Sequence, residues 1–181
     1  MAIAARWGGV FLALLLVTLT SNAEGPIIVP VDSGVVTGPF VITNGYLLQA
    51  LNTATGRAVY RFTNTSSGGF VLQALVNAPG GQTNFLLVNI DAEPESPTMA
   101  WAVPQTTGFT NQLVSWRADA AASTPYFRRK VFNLARGEHQ IIIRGSLGAV
   151  QLARITVLSL PPTPTGLRVV TSPDRDSSGR N

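Results

Sequence analysis

Residues 132–144 constrain the fold more than any other part of the sequence. Phe132 and Leu134 fall on one side of an extended chain, because strand side chains alternate with a period of two. The chain then reverses around Gly137, since glycine tolerates the positive φ angles of tight turns. Alternation resumes at His139 and continues through three consecutive isoleucines, whose β-branched side chains favour strands. The segment predicts strand, tight turn, strand, with His139 directed inward as a hydrogen-bonded structural residue and not a catalytic base.

The same pattern recurs through most of the chain. Apolar and β-branched runs alternate with short clusters of Gly, Pro, Asn, Ser and Thr, and no run has the period of a helix. Such spacing is typical of a sandwich or barrel. We therefore predict an all-β fold, an antiparallel β-sandwich of jelly-roll type. The predicted strands are Val35–Ile42, Tyr46–Leu51, Arg57–Thr63, Phe70–Ala78, Asn84–Asp91, Met99–Val103, Gln112–Arg117, Phe127–Leu134, His139–Arg144 and Val150–Ser159.

The N-terminal segment has the pattern of a secretory signal peptide. Arg6 supplies a positive charge, and residues 10–19 form an apolar run that is too short to span a bilayer comfortably. We predict a signal peptide at 1–23, a β-sandwich at 24–160, and a Pro-rich linker with a disordered tail at 161–181. The mature protein is expected to be secreted or held at the cell surface, without membrane insertion after cleavage.

Composition excludes several classes of function. The net charge is +4, but only 12% of residues are charged, so the sequence is not polybasic. The basic cluster Arg128–Lys130 is interpreted as a solvated strand edge, and we predict no nucleic-acid partner. One histidine and no cysteine leave no ligand set for zinc. The lack of cysteine in an exported chain favours a bacterial source.

Three carboxylates, Asp91, Glu93 and Glu95, alternate along one segment. Oxygen ligands at this spacing could hold calcium, and paired acids could act as they do in a glycosidase. However, Pro94 and Pro97 mark the segment as a loop, where acids are commonly solvated. We therefore predict no metal site and no enzyme, because no other arrangement in the sequence supports catalysis.

Several segments, taken in their order, resemble a bacterial carbohydrate-binding module of families 6 and 35. They are Gly45–Leu48, Gly56–Thr63, Gly69–Pro79, Asn84–Asp91, the hairpin-like Phe132–Arg144, and Leu152–Ile155. The resemblance covers residues 40–159 and implies a galactose-binding-like jelly roll. After it, Pro164–Val169 resembles the start of a fibronectin type III domain, which implies other domains of a modular protein.

The resemblance also implies a sugar site made of aromatic rings and amides on loops at the rim of the sandwich. Phe109 and Asn111 stand where the family has a Trp-x-Trp motif, and Gln151 stands where family 6 has an asparagine. Ala153 replaces an Asp that helps family members to hold a structural calcium, so we predict no cofactor. The predicted carbohydrate-binding residues are Tyr46, Trp101, Phe109, Asn111, Trp116 and Gln151.

Together these observations predict a non-catalytic, secreted carbohydrate-binding module that recognises a polysaccharide or glycoconjugate through rim aromatics and amides. The alternative is a structural or adhesive β-sandwich module of a modular cell-surface or extracellular protein, in which the sugar site has decayed. The missing Trp-x-Trp motif and the Asp replaced by Ala153 favour that alternative. A small hydrolase is supported only by the three alternating acids.

Overall fold

Two antiparallel β-sheets pack face to face, which confirms the predicted antiparallel β-sandwich. The computed structural model describes residues 24–49, 56–79, 84–117 and 127–161. Within these ranges a short 3-10 turn, Val31–Ser33, follows the first strand. The strands are β1 Ile27–Pro30, β2 Val35–Thr37, β3 Phe40–Thr43, β4 Tyr46–Gln49, β5 Arg57–Asn64, β6 Gly68–Asn77, β7 Asn84–Ile90, β8 Ala100–Val103, β9 Thr110–Leu113, β10 Ser115–Arg117, β11 Phe127–Arg129, β12 Phe132–Leu134, β13 Gly137–Leu147 and β14 Gln151–Ser159.

Each sheet draws its strands from distant parts of the chain. Sheet A has the order β12–β6–β14–β4–β3, and in addition β9 pairs with β6 and β1 pairs with β14. Sheet B has the order β2–β5–β13–β7–β8. The strands β10 and β11 form a separate two-stranded ribbon. Strands that follow one another in the chain therefore often lie in opposite sheets, as in other jelly rolls.

Alternating side chains of the two sheets meet in one apolar core. In sheet B, Ala58, Tyr60 and Phe62 of β5 point inward. Their cross-strand neighbours in β13 are Ile143, Ile141 and His139. Alternate residues of β6 and β14 cover them from sheet A. Burying each large apolar side chain contributes about 1.5–3 kcal/mol, so this layer is the main source of stability.

The segment 132–144 crosses the core and is not a hairpin. β12 pairs with β6 in sheet A, whereas β13 pairs with β5 and β7 in sheet B. Phe132 and Leu134 are buried from one sheet and Ile141 from the other. Alternation correctly predicts the strands and their inward faces. It does not identify which strand each one pairs with, because the period of two is the same in either sheet.

Asn64 fixes this crossing to the end of β5. Its side chain is buried, with 1% of its surface exposed. Its Nδ2 donates to the carbonyl oxygens of Ser66 and Ala135, both at 2.8 Å. Its Oδ1 accepts from the backbone amide of Gly137 at 2.9 Å. A buried amide with its hydrogen bonds satisfied holds the backbone in one arrangement, so the start of β13 cannot shift relative to β5.

His139 fixes the same crossing from the other side. Its Nδ1 lies 2.6 Å from Asp91 Oδ2, and its Nε2 lies 2.8 Å from the carbonyl oxygen of Ala135. A carboxylate and a carbonyl can only accept hydrogen bonds, so both ring nitrogens donate and the ring is an imidazolium. Although burial lowers the pKa of His139, these hydrogen bonds and the charge of Asp91 raise it above its ordinary value. This is the structural role that the alternation predicts for the residue.

Glu24, the first described residue, is fixed against the last strand. Its carbonyl oxygen accepts a hydrogen bond from the Ser159 hydroxyl at 2.7 Å. Its carboxylate accepts bonds from the Thr65 amide at 2.8 Å and the Ser66 hydroxyl at 3.1 Å. Although burial raises the pKa of Glu24, these hydrogen bonds hold it below its ordinary value. The two ends of the described domain therefore lie side by side, next to the turn between β5 and β6.

Three of the predicted strands are each divided in two. Val35–Ile42 becomes β2 and β3, Gln112–Arg117 becomes β9 and β10, and Phe127–Leu134 becomes β11 and β12. The two halves of each belong to different sheets, or to a sheet and the ribbon, because the chain changes layer partway along an extended segment. The sequence pattern also does not predict β1, which is short and lies on the edge of β14.

The remaining predictions on chain organisation concern residues that the structure does not describe. The predicted signal peptide, 1–23, lies outside the described residues, and so does 162–181 of the predicted linker and tail. Within the described ranges, no helix has the length and apolar character needed to cross a membrane.

The hydroxyl of Tyr60 is a weak point in the core. It is the one buried side-chain polar atom that lacks a hydrogen-bond partner among the described residues. Burial raises the pKa of this phenol well above its ordinary value. The ring packs directly on the backbone at Gly34, where a side chain would collide with it. An unsatisfied buried polar group costs about 1–3 kcal/mol, so this hydroxyl lowers the stability of the domain.

Tyr60→Phe is expected to raise the free energy of unfolding by about 1 kcal/mol, because it removes the unsatisfied hydroxyl and keeps the packed ring. Urea denaturation measures this change. The control is Tyr46→Phe, a half-buried tyrosine whose hydroxyl loss is expected to have little effect. A lower stability of Tyr60→Phe would show that the hydroxyl stabilises the native state through a partner of its own.

The charge of His139 predicts a pH dependence of stability. The raised pKa means that its contribution is fully present below the ordinary histidine pKa of about 6.5, and is lost as the pH rises through the folded-state value. Unfolding free energies of the protein and of His139→Gln are measured from about pH 5 to about pH 9. The difference between them is expected to shrink as the pH rises. An identical pH profile for both proteins would contradict the imidazolium assignment.

Candidate functional site

An aromatic pair lies on the outer face of sheet A. Tyr46 starts β4 directly after a tight turn in which Asn44 and Gly45 have φ angles of 50° and 78°. Two consecutive positive φ angles are typical of the two-residue hairpin turn that Asn-Gly favours. Phe109 immediately precedes β9 and is 44% exposed. The two ring centroids are 5.8 Å apart and the planes are inclined by 49°, so the turn and the β9 loop form one apolar surface.

Fixed amides lie beside the aromatic pair. In the sheet register, Gln151 of β14 lies between Asn77 of β6 and Leu48 of β4. Asn77 Nδ2 donates to Gln151 Oε1 at 2.8 Å. The Thr106 hydroxyl donates to Asn77 Oδ1 at 3.1 Å and accepts from the Ala78 amide at 2.8 Å. These bonds orient the amides in advance, and the amide nitrogen of Gln151 donates to none of the described residues.

Asn111 continues this surface along β9. It is exposed and lies opposite Leu75 of β6, on the outer face of sheet A. We call Tyr46, Phe109, Asn77, Gln151 and Asn111 the aromatic–amide surface. The structure thus gathers four of the six predicted binding residues on one face. Asn77 joins them although the sequence motifs did not select it; its outward position on β6 and its amide side chain are the signals that could have done so.

Trp101 is not part of this surface, which corrects its selection as a binding residue. It lies in β8 of sheet B, opposite Leu86, and is 1% exposed. A period of two puts it on the same side of the strand as Val103, which is also buried in the core. No ligand can reach its ring in this structure. The resemblance in sequence places this tryptophan correctly in a strand but not on the correct face.

The side chain of Trp116 makes its contacts within the protein. Its Nε1 donates to the carbonyl oxygen of Val88 at 2.9 Å. Phe132 packs edge-on against it, with ring centroids 5.9 Å apart. The Lys130 ammonium lies 4.0 Å from the centroid of the indole, a favourable cation–π distance. The polar group and one face of the indole are therefore occupied, and Trp116 does not join the aromatic pair.

The alternating acids do not converge on a common centre. The Asp91 carboxylate is occupied by His139 and by the backbone amide of Gln140 at 2.8 Å. Glu93 accepts from Arg57 at 2.7 Å and from Arg144 at 3.2 Å. The hydrogen bond from Arg57 is the main reason why the pKa of Glu93 lies below its ordinary value. Among the described residues, no three potential metal-ligating side chains come together.

A polar cavity lies at the other end of the sandwich. Its volume is about 150 Å³. Two of its lining groups, Asp91 and His139, already bind each other, and no Trp, Tyr or Phe lines it. Its lining residues are Arg61, Asp91, Glu138, His139 and Gln140. The aromatic–amide surface is the better candidate, because ligand sites combine apolar rings with a few polar groups that are still available.

The fold is similar to that of solved carbohydrate-binding modules. A family 35 carbohydrate-binding module from Clostridium thermocellum matches with a TM-score of 0.57 and 13% identity, over 76% of this chain and 100% of that module. A GH26-CBM35 β-(1,4)-mannanase from Podospora anserina matches with a TM-score of 0.57 and 15% identity, over 78% of this chain and 29% of the mannanase. No protein-family model and no curated protein matches the sequence. At these identities the likeness shows the fold alone, a β-sandwich similar to that of these modules.

Truncation of Trp101 is expected to destabilise the domain much more than truncation of Phe109. Trp101→Ala is expected to lower the free energy of unfolding by about 3–5 kcal/mol, because it leaves a large cavity in the core. Phe109→Ala is expected to cost less than about 1 kcal/mol, because much of its ring is already in solvent. Urea denaturation of both variants measures the difference. Equal losses would contradict the assignment of Trp101 to the core and Phe109 to the surface.

Proposed function

We propose that this protein is a non-catalytic carbohydrate-binding module that uses the aromatic–amide surface to hold a glycan. One observation carries the proposal: the half-buried Tyr46 and the exposed Phe109 are in ring contact, and the strand register places them beside the hydrogen-bonded amides of Asn77 and Gln151. The similarity in fold to family 35 modules supports it. The carboxylates of Asp91 and Glu93 are bound by other groups of the domain, and the segments that form this surface contain no carboxylate.

The chemistry of a sugar ring suits such a surface. A pyranose has apolar faces of C–H groups and an edge of hydroxyl groups. Tyr46 and Phe109 would contact the apolar face, since aromatic rings bury a large area with little loss of side-chain entropy. Gln151 and Asn111 would hydrogen-bond the hydroxyls, and Asn77 would keep Gln151 in place. Pre-oriented groups bind with a smaller entropic cost, although a site of this size is expected to be weak.

A structural or adhesive module is the second candidate. The positions of two tryptophans favour it. The ring of Trp101 is in the core and one face of Trp116 is covered by Lys130, so neither ring is open to a sugar. In this case the sandwich would act as a spacer or would dock another protein. The combination of the Tyr46–Phe109 ring pair with neighbouring amides favours the first candidate, because small-molecule sites join apolar rings to a few placed polar groups.

Export and modular context belong to the same proposal. The apolar run at 10–19 supports an exported protein that is secreted or held at the cell surface. The Pro-rich segment from Pro161 to Thr165 supports a stiff linker to further domains. Mass spectrometry of the secreted protein would test this, since export predicts an N-terminus at Glu24.

Tyr46→Ala and Phe109→Ala are each expected to weaken glycan binding about tenfold, because loss of one stacked ring removes about 1–2 kcal/mol. A panel of immobilised polysaccharides identifies a ligand, and calorimetric titration measures the affinities. Val35→Ala is the matched control, since this side chain is 70% exposed on the outer face of sheet B. It is expected to bind as the unaltered protein does.

Two outcomes would reject the proposal. Unchanged glycan affinity in both aromatic variants would remove the aromatic–amide surface from the binding site. Absence of binding to every polysaccharide in the panel by the folded protein would favour the structural or adhesive module.

A further inference from the structure

We propose that the aromatic–amide surface selects uncharged glycans and binds them without a metal ion. This inference rests on the proposed carbohydrate-binding function and specifies the class of ligand. Its basis is the distribution of charge along the chain and in the fold, because the described segments that form this surface carry no charged residue.

The segments that build the surface are free of charged residues. β4 and its turn, the end of β6, the loop before β9 and the start of β14 all lie in long stretches without Asp, Glu, Lys, Arg or His. The chain has 13 basic and 9 acidic residues, so these gaps reflect where the charges lie and not a lack of them. The uncharged stretches are residues 33–56, 62–90, 96–116 and 145–153.

The ion pairs Arg57–Glu93, Arg144–Glu93 and His139–Asp91 lie away from this surface. Arg57 and Arg144 bind Glu93 on the outer face of sheet B. Asp91 and His139 lie at the end of the sandwich where β13 begins. The outer face of sheet B and the crossing end therefore carry the electrostatic interactions, while the outer face of sheet A near Asn77 presents rings and neutral amides.

Arg154 is the cation that the strand register places nearest to the surface. It follows the bulge in β14 and lies opposite Leu75, which lies opposite Asn111 on the other edge of β6. Adjacent strands are about 4.8 Å apart, so the backbones of Arg154 and Asn111 are separated by about 10 Å. Arg154 is half-buried and, as the next outward residue of β14 after Gln151, lies at the border of the surface.

An acidic sugar would bind poorly to such a surface. Moving a carboxylate or sulfate out of water is costly unless a cation or several donors compensate it. The donors on the described segments of this surface are neutral amides, and Arg154 lies at its border. Calcium would need six to eight oxygen ligands, normally including carboxylates, and the segments that form this surface contain none. A neutral sugar avoids both costs, because its hydroxyls exchange hydrogen bonds with water for hydrogen bonds with amides.

The test uses the intact protein and two sets of immobilised polysaccharides. The neutral set contains galactan, mannan, xylan and a β-glucan, and the acidic set contains polygalacturonate, alginate and chondroitin sulfate. Binding is measured at low and high salt, and with calcium or with EDTA. We expect binding to at least one neutral polysaccharide, with a change of less than about twofold between salt conditions, because no ion pair is screened. EDTA is expected to have no effect.

Two variants locate the effect. Phe109→Ala is expected to weaken the neutral binding about tenfold, and Arg154→Gln is expected to retain it within about twofold. Binding to acidic polysaccharides alone, a loss with salt or EDTA, or a requirement for Arg154 would overturn the inference and leave the carbohydrate-binding function standing. Neutral binding of unchanged affinity in Phe109→Ala would overturn the assignment to this surface. Binding to neither set would overturn the carbohydrate-binding function itself.

Discussion

The sandwich depends on the point at which the chain passes from sheet A to sheet B, between Leu134 and Gly137. β12 ends in one layer and β13 begins in the other, so both layers are aligned by the geometry of this short crossing. Asn64 and His139 hold it by bonds to the same carbonyl oxygen, that of Ala135. Because β13 is the central strand of sheet B, a one-residue error in its register would turn its own inward residues toward solvent and disturb its pairing with β5 and β7.

The two faces of sheet A have different roles. The inward residues of β6 and β14 build the core, and their outward residues carry the amides of Asn77 and Gln151. A rigid sheet holds the amides in place, while Tyr46 and Phe109 come from the adjacent turn and loop. Such a division is common in binding proteins, where a stable scaffold presents variable groups at its surface.

Much of the fold could be predicted from the sequence, because alternation reports burial directly. Ile141 and Ile143 are inward as expected, and the class of fold follows from many such segments. Alternation does not report which strand is the neighbour, so the crossing at Gly137 was not distinguished from a hairpin. Pairing depends on contacts between residues far apart in the chain, which a local pattern does not contain.

The site was predictable only in part, for the same reason. Tyr46 and Phe109 are distant in sequence, and their contact exists only because β4 and β9 flank the same pair of strands, β14 and β6. Trp101 was assigned by resemblance, yet its spacing from the apolar Val103 already indicated an inward position. The exposure of Trp116 could not be predicted from the sequence. It depends on contacts with Lys130 and with the Val88 carbonyl, which are distant in the chain.

The bond between Glu24 and Ser159 has a consequence for how the domain would be mounted in a larger assembly. Both connections leave from the Gly68 end of β6, whereas Asn77 marks the opposite end of that 10-residue strand, about 30 Å away. Neighbouring segments on either side would thus extend behind the domain. The Asn77 end of the domain, beside which the aromatic–amide surface lies, would then be the end farther from these connections.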